Sequence, residues 1–348
     1  LAAGGVVACP LRRPVPQLLR ARRRDALLVL AVAGVVWLLF LAARAGNPAI
    51  FWGEKPMDFS FLNAFLRASS WPPDEPWMAG MPLHYYYFGQ VLSSFPILVA
   101  GSHPAVGYNL MAASIPALAA ALLAPLGLAL ARRRRFAVAA LLPVLVLLTG
   151  NLAWPRLLDL ARGGRWFDLW WATSRVIPGF AIDEYPLWTA LFADLHGHLI
   201  ALAVLLATLL WGWLTVTLRG HRWMVAAALC AVSAAVLVAT NPWDIFVVAA
   251  TLAVGTLAAA WRPVQGMLRL AAAGAASVLA ALPYVVELPA GIGAGPGGRG
   301  LFLTDADFAP AWAVVLHFGV FLVPLLVLAV ALPATRRGWL LVLLLAVA

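Results

Sequence analysis

The sequence predicts an all-α protein, a polytopic bundle of about nine membrane spans with interfacial helices in its first outer loop. Composition is the first reason. The chain has 348 residues, 64% of them hydrophobic and 11% charged, and its mean hydropathy is +0.92. One soluble core cannot hide that much apolar surface. The second reason is that the hydrophobic residues fall in runs long enough to cross a bilayer. The third is that arginines cluster between those runs, so orientation in a membrane explains the net charge of +10 better than nucleic acid does, and no nucleic-acid partner is expected. Cys9 and Cys230 imply no disulfide framework. The chain starts without Met and stops inside an apolar run at Ala348, which suggests a longer protein.

The elements follow in order. Residues 1–25 form a basic segment, with Arg12, Arg13, Arg20, Arg22, Arg23 and Arg24 ahead of the apolar run Ala26 to Ala43. A basic flank stays on the cytoplasmic side, so the first helix runs outward. Ala43-Arg44-Ala45 resembles a signal-peptide cleavage site, but the run exceeds the usual h-region and reads as a retained span. Phe88 to Ala100 is too short to cross and is expected along the interface. Val106 to Ala131 then returns to Arg132, Arg133, Arg134 and Arg135. Phe136 to Gly150, Leu199 to Leu218, Trp223 to Thr240, Ile245 to Trp261, Met267 to Val286 and Ala311 to Leu332 alternate direction, and a ninth span begins at Trp339. Residues 26–348 thus make one transmembrane domain with outer loops 44–107, 151–198 and 287–310, in a plasma membrane, with the N-terminus cytoplasmic and the active face outside. Of the 14 Asp and Glu only Asp25 falls inside. That bias points to an outward-facing polar site.

Chemistry concentrates in the first outer loop. Asp58 opens an amphipathic helix with Phe59, Leu62 and Leu66 on one face and Pro56 at its start. Two readings of Asp58 stand: a first-turn acid stabilised by the helix dipole, or a general base taking a proton from an acceptor hydroxyl, with Glu54 as the substitute. His84, Tyr85, Tyr86 and Tyr87 suit a membrane interface. On a helix three consecutive tyrosines spread widely, so at least one faces protein or substrate. Asp194, His196 and His198 precede an apolar span. On a regular helix Asp194 and His198 share a face and His196 points away, unless Gly197 loosens the turn so that all three converge. They read either as a metal or phosphate site or as a hydrogen-bonded helix terminus. Asp244, in the NPWD junction, is a structural residue or lines the site. Asp183 with Glu184 reads as a solvated pair or a second acidic wall. GIGAGPGGRG, which holds Arg299, lacks the strand context and lysine of a P-loop. There is no Ser-His-Asp elbow, HExxH motif or dinucleotide fingerprint.

The stretches GEKPMDFSFLNAFLR, DEPWMAGMPLHYYYFGQ, DEYPLWTALFADLHGHLIA and NPWD resemble the tri-tyrosine (YYY) domain family of uncharacterised multi-pass membrane proteins. That family in turn is similar to the C-type glycosyltransferases, including protein O-mannosyltransferases. The resemblance implies a glycosyltransferase that takes sugar from a polyprenyl-phosphate donor in the membrane lipid and gives it to an unknown acceptor. It implies Asp58 as catalytic base with Glu54 beside it. It leaves DLHGH without a secure counterpart. On the chemistry, Asp194 with His198 would hold a divalent metal (Mg or Mn), or His198 and Arg299 would meet the phosphate, while Tyr86 and Trp77 contact sugar. The alternatives are a non-catalytic envelope assembly protein and a lipid-linked solute carrier. The carrier predicts ionisable residues at mid-membrane, and the spans are almost free of them.

Overall fold

The computed structural model describes residues 20, 22–130, 134–178, 182–259, 262–287 and 310–320. The glycine-rich loop with Arg299, the expected ninth span and most of the eighth lie outside the described residues.

Helices form where the apolar runs predict them. In chain order they are α1 (Arg23–Gly46), α2 (Lys55–Arg67), α3 (Phe88–Ala100), α4 (Pro104–Leu130), α5 (Arg135–Leu147), α6 (Trp154–Arg162), α7 (Trp166–Thr173), α8 (Pro186–Phe192), α9 (Gly197–Thr217), α10 (Arg222–Thr240), α11 (Asp244–Ala259) and α12 (Pro263–Glu287), followed by α13 (Ala311–Val320). Among the described residues the only β pairing is an isolated bridge between Asp74 and Pro82.

Among the described residues five helices, α1, α4, α9, α10 and α12, are long and apolar enough to cross. Expected spans over Phe136 to Gly150 and Ile245 to Trp261 become α5 and α11, of 13 and 16 residues. At 1.5 Å of rise per residue these fall short of a typical hydrocarbon core.

Packing follows side-chain period. Val36, Phe40 and Arg44 are the buried residues of α1, four apart and therefore one stripe. Leu30, Val35, Leu38 and Leu39 of the same helix stay exposed, as befits a helix whose other faces meet lipid. The stripe joins a cluster with Tyr108, Ala113, Ala119, Ala120 and Leu123 of α4. Small residues there let two helices approach closely where dispersion contacts, not water exclusion, hold them. α9 and α10, with Ala201 and Leu237, pack with Val248 and Leu252 of α11 as a second cluster.

Helix α3 is inverted relative to a soluble helix. Gln90, Ser93, Ser94 and Ile97 are buried, while Phe95, Leu98 and Val99 are exposed. Its polar face therefore turns into the protein, toward the region between α2 and α9. Arg44, at the far end of α1, is also buried, and its guanidinium donates to Asn109 Oδ1 at 2.7 Å and to the Ala49 carbonyl at 3.2 Å. The chain leaving α1 is thereby tied to α4 before it enters α2.

Candidate functional site

Two short segments meet at one end of this bundle. The first is the turn into α2. Trp52 and Gly53 both take left-handed backbone (φ 77° and 64°), and a Cβ on Gly53 would lie 2.9 Å from Asp194 Oδ2 and from the Phe192 ring. Glycine is needed there for conformation and for space. The turn aims the start of α2 at the second segment, Ala193 to His196. In that segment Ala193 is left-handed and ends α8, and Tyr108 fixes the backbone on either side of Asp194: its hydroxyl accepts from the Leu195 N–H at 2.8 Å and donates to the Ala193 carbonyl at 3.4 Å.

Two buried charge pairs join the segments. Lys55 Nζ lies 2.8 Å from Asp194 Oδ1 and 3.7 Å from the centre of the Phe192 ring, and the Glu54 N–H donates to Asp194 Oδ2 at 3.3 Å. Burial pushes the Asp194 carboxyl up, and the neighbouring Lys55 offsets part of that. Asp58 Oδ1 meets His196 Nδ1 at 2.9 Å, with side-chain exposures of 1% and 6%. Gln90 donates to the same Asp58 oxygen at 3.4 Å and to the Leu195 carbonyl. Glu54 Oε2 also approaches His196 Nδ1, at 3.3 Å, but its side chain is 55% exposed.

The other nitrogen of His196 faces two tyrosines. Nε2 is 3.2 Å from Tyr85 Oη and 3.1 Å from Tyr86 Oη, whose rings stack 3.9 Å apart. With carboxylates at Nδ1, that nitrogen carries a proton; Nε2 accepts from a tyrosine hydroxyl when the ring is neutral and donates to one when it is charged. Burial pushes Asp58 up to about 6, against the opposing pull of its His196 bond. Burial works against a charged His196, yet the Asp58 bond and the surrounding carboxylates raise it above its ordinary value. The pair thus holds protons to higher pH than free side chains do.

These groups border a cavity of about 770 Å³ lined by Glu54, Tyr86, Asp194, His196 and His198, by Trp52, Trp171 and Trp243, and by Arg175 and Glu184 among others. The same lining carries a second acid–histidine pair. Glu184 Oε2 is 3.4 Å from His198 Nε2 and accepts from Thr189 Oγ1 at 3.1 Å. Arg175 approaches Oε1 at 4.0 Å and lies over the Trp171 ring at 4.1 Å. Burial alone would raise Glu184, but the bonds from His198 and Thr189 bring it below its ordinary value.

The expected residues are therefore partly gathered. Glu54, Asp58, Tyr85, Tyr86, Asp194, His196 and His198 come together, with Asp58 beneath His196 rather than on the cavity wall. The geometry expected for DLHGH is corrected. α9 begins only at Gly197, and His196 before it is extended (ψ 167°). His196, expected to point away from Asp194 and His198 unless Gly197 loosened the turn, bonds to Asp58, while Asp194 and His198 turn to Lys55 and Glu184. The tyrosines are likewise not on a helix but lead into α3. Tyr87 packs among Phe65, Trp71 and Tyr284, away from the cavity lining. Trp77 is 63% exposed and donates from Nε1 to Ser60 Oγ at 2.7 Å. Neither it nor His84 borders the cavity. Asp244 opens α11 beside Asn241 and Trp243, which do. Arg299 lies outside the described residues.

The donor atoms do not suit a divalent ion. Asp194 is held by Lys55 and a backbone N–H, both His196 nitrogens face protein groups, and among the described residues no group of three His, Cys, Asp or Glu is placed to hold a metal. Sequence reasoning missed Lys55, Gln90, Tyr108 and Arg175. Lys55 had a signal: it is the only lysine in the chain, and it lies within the polar stretch.

Fold and site together define an all-helical membrane protein with a polar cavity at one end of its bundle, closed over buried acid–histidine and acid–lysine pairs. A family model described as "Uncharacterized membrane protein (DUF2298)" matches residues 2–348. The chain belongs to that family. No curated protein and no solved structure matches it.

Proposed function

We propose that this protein is a membrane-embedded glycosyltransferase that moves a sugar from a polyprenyl-phosphate donor to an acceptor hydroxyl on the outer face of the membrane. The observation that carries the reading is one half-exposed carboxylate at a cavity mouth, Glu54, held 3.3 Å from a buried histidine that Asp58 orients. A general base must touch its substrate, and Glu54, on the cavity lining, is open to one where the buried Asp58 is not. Glu54 takes the proton from the acceptor hydroxyl. The acceptor oxygen attacks the anomeric carbon as the bond from that carbon to the phosphate oxygen breaks, and the electron pair leaves on polyprenyl phosphate. Arg175 and the His198 N–H on the same lining meet the charge that develops there, without a divalent metal. Trp52, Trp171 and Trp243 offer flat apolar faces to a sugar ring. Asp58, Tyr85 and Tyr86 act as positioning residues: they fix His196, and His196 fixes Glu54.

Membranes carrying the protein, incubated with labelled polyprenyl-phosphate sugars, should lose label from the lipid. Glu54→Gln should slow that loss by about 10²–10⁴-fold while the protein stays folded, the usual worth of a positioned base. Wild-type turnover in that variant would remove Glu54 from the role. Absence of transfer from every donor would leave the assembly-protein reading, which the internal pairing of Lys55 with Asp194 favours.

A further inference from the structure

A second cavity, of about 570 Å³, is lined by Arg20, Arg22, Arg23, Arg24, Asp25 and Arg135. It opens at the N-terminal ends of α1 and α5. Asp25 is about 21 residues before Gly46, which at 1.5 Å per residue puts this cavity roughly 30 Å along α1 from the end that leads to the polar site. The two are at opposite ends of the bundle.

Five guanidiniums share the space with one carboxylate, and that carboxylate is already engaged. Asp25 Oδ1 is 2.6 Å from Arg135 Nη2 and Oδ2 is 3.3 Å from Arg22 Nη1. Asp25 is 13% exposed and Arg135 38%, so the bridge that joins the two helix starts is partly shielded from water. Neither helix start has a side-chain cap, and α5 has no acid in its first turn. The unpaired N–H groups and the positive dipole ends of both helices therefore add to the charge of the arginines. Orientation in a bilayer explains arginines near the ends of spans. It does not explain why segments 110 residues apart should converge their arginines on one hollow, where like charges repel.

We propose that this cavity binds a phosphate ester, namely the headgroup of an anionic phospholipid. Arginine forks match phosphate oxygens two at a time, helix N-termini favour anions, and basic pockets beside membrane helices are the sites where anionic headgroups lodge. Asp25 holds Arg135 and Arg22 in place and leaves a net positive hollow for the ligand.

The test is native mass spectrometry of the full chain in detergent, titrated with phosphatidylglycerol or phosphatidylcholine. Wild type should retain phosphatidylglycerol about tenfold or more over phosphatidylcholine, and Arg23→Gln/Arg24→Gln/Arg135→Gln should lose most of that preference. Equal retention of the two lipids by wild type, or an unchanged preference in the triple variant, overturns the proposal. A measurement on wild type alone guards against a variant that misfolds: raising salt from about 0.1 M to about 0.5 M should weaken phosphatidylglycerol retention several-fold, and salt-independent retention overturns the proposal too. Competition with inorganic phosphate separates the sources. Retention that survives millimolar phosphate supports the lipid headgroup, and full displacement overturns that source in favour of a soluble phosphate ester.

Discussion

The two acid–histidine sides of the polar cavity carry the same chemistry in different surroundings. On one, Asp58 meets His196 at 2.9 Å with side-chain exposures of 1% and 6%. On the other, Glu184 meets His198 at 3.4 Å with exposures of 18% and 39%. The rings of the two histidines lie 5.4 Å apart, so both pairs feel one cavity. Yet burial pushes Asp58 up to about 6, whereas the bonds around Glu184 overcome its burial and carry it down. An acid–histidine pair therefore has no fixed role: depth decides whether it stores a proton or presents a charge. The deep pair suits holding the site's geometry and its protons. The shallow pair, next to Arg175, suits contact with a polar ligand.

The largest contrast should come from removing one histidine at a time. His196→Ala leaves Asp58 buried beside an empty space, and breaking a buried pair in that way costs about 3–5 kcal/mol. The loss should be greatest at pH 8 and smaller at pH 5, because an orphaned Asp58 can take up a proton and shed its charge. His198→Ala should cost under about 1 kcal/mol, as half-exposed pairs do. Unfolding of both variants in detergent, followed by tryptophan fluorescence, checks the difference. Equal losses would mean that depth does not separate the pairs.

Gly197, between the two histidines, gives a middle-sized effect. A Cβ there would sit 2.5 Å from the Thr240 carbonyl oxygen and 2.9 Å from the Tyr86 ring. The ring can turn aside, but the carbonyl is backbone, so the start of α9 must shift as well. Gly197→Ala should cost about 1–3 kcal/mol, the range for overpacking, and should slow transfer by displacing Tyr86 from His196. Transfer at the wild-type rate in Gly197→Ala would show that the tyrosine contact is not needed to hold the site.

The deep pair was only half legible in the sequence, and the reason is distance along the chain. Asp58 stood out as an acid after a long apolar run, and DLHGH as polar residues before another, because bilayer cost makes such groups conspicuous. What no local pattern carries is that His196 would reach back 138 residues to Asp58. A helical period placed Asp194 with His198, but the left-handed Ala193 and the extended His196 delay α9 to Gly197, so the helical period does not apply. Trp77, expected to contact sugar, lies off the cavity lining and donates to Ser60. Span positions were legible wherever apolar runs were long. The expected spans at α5 and α11 were less so, because these helices have the composition of spans without the length. Gln90 lay hidden for a related reason: α3 reads as an apolar segment, and only its packing reveals that the polar face points inward.

The smallest effect, and the one that most sharpens the contrast between the two pairs, is the sign of each pair's pH dependence. Asp58 is raised from 3.8 to about 6, so between those values the folded protein keeps a proton that the unfolded chain has lost. Its contribution to stability is full below about 3.8 and declines as pH rises through about 6. His196 is raised too, which extends the decline above its ordinary 6.5. Glu184 is lowered, so its contribution is present above the unfolded value and is lost as pH falls through the folded one. Asp58→Asn should therefore flatten a loss of stability with rising pH, and Glu184→Gln should flatten a gain. Melting temperatures of wild type and both variants from pH 4 to pH 8 read the two slopes against each other. If both variants change the slope in the same direction, the carboxyls of the two pairs share one environment and the assignment of a deep proton store fails.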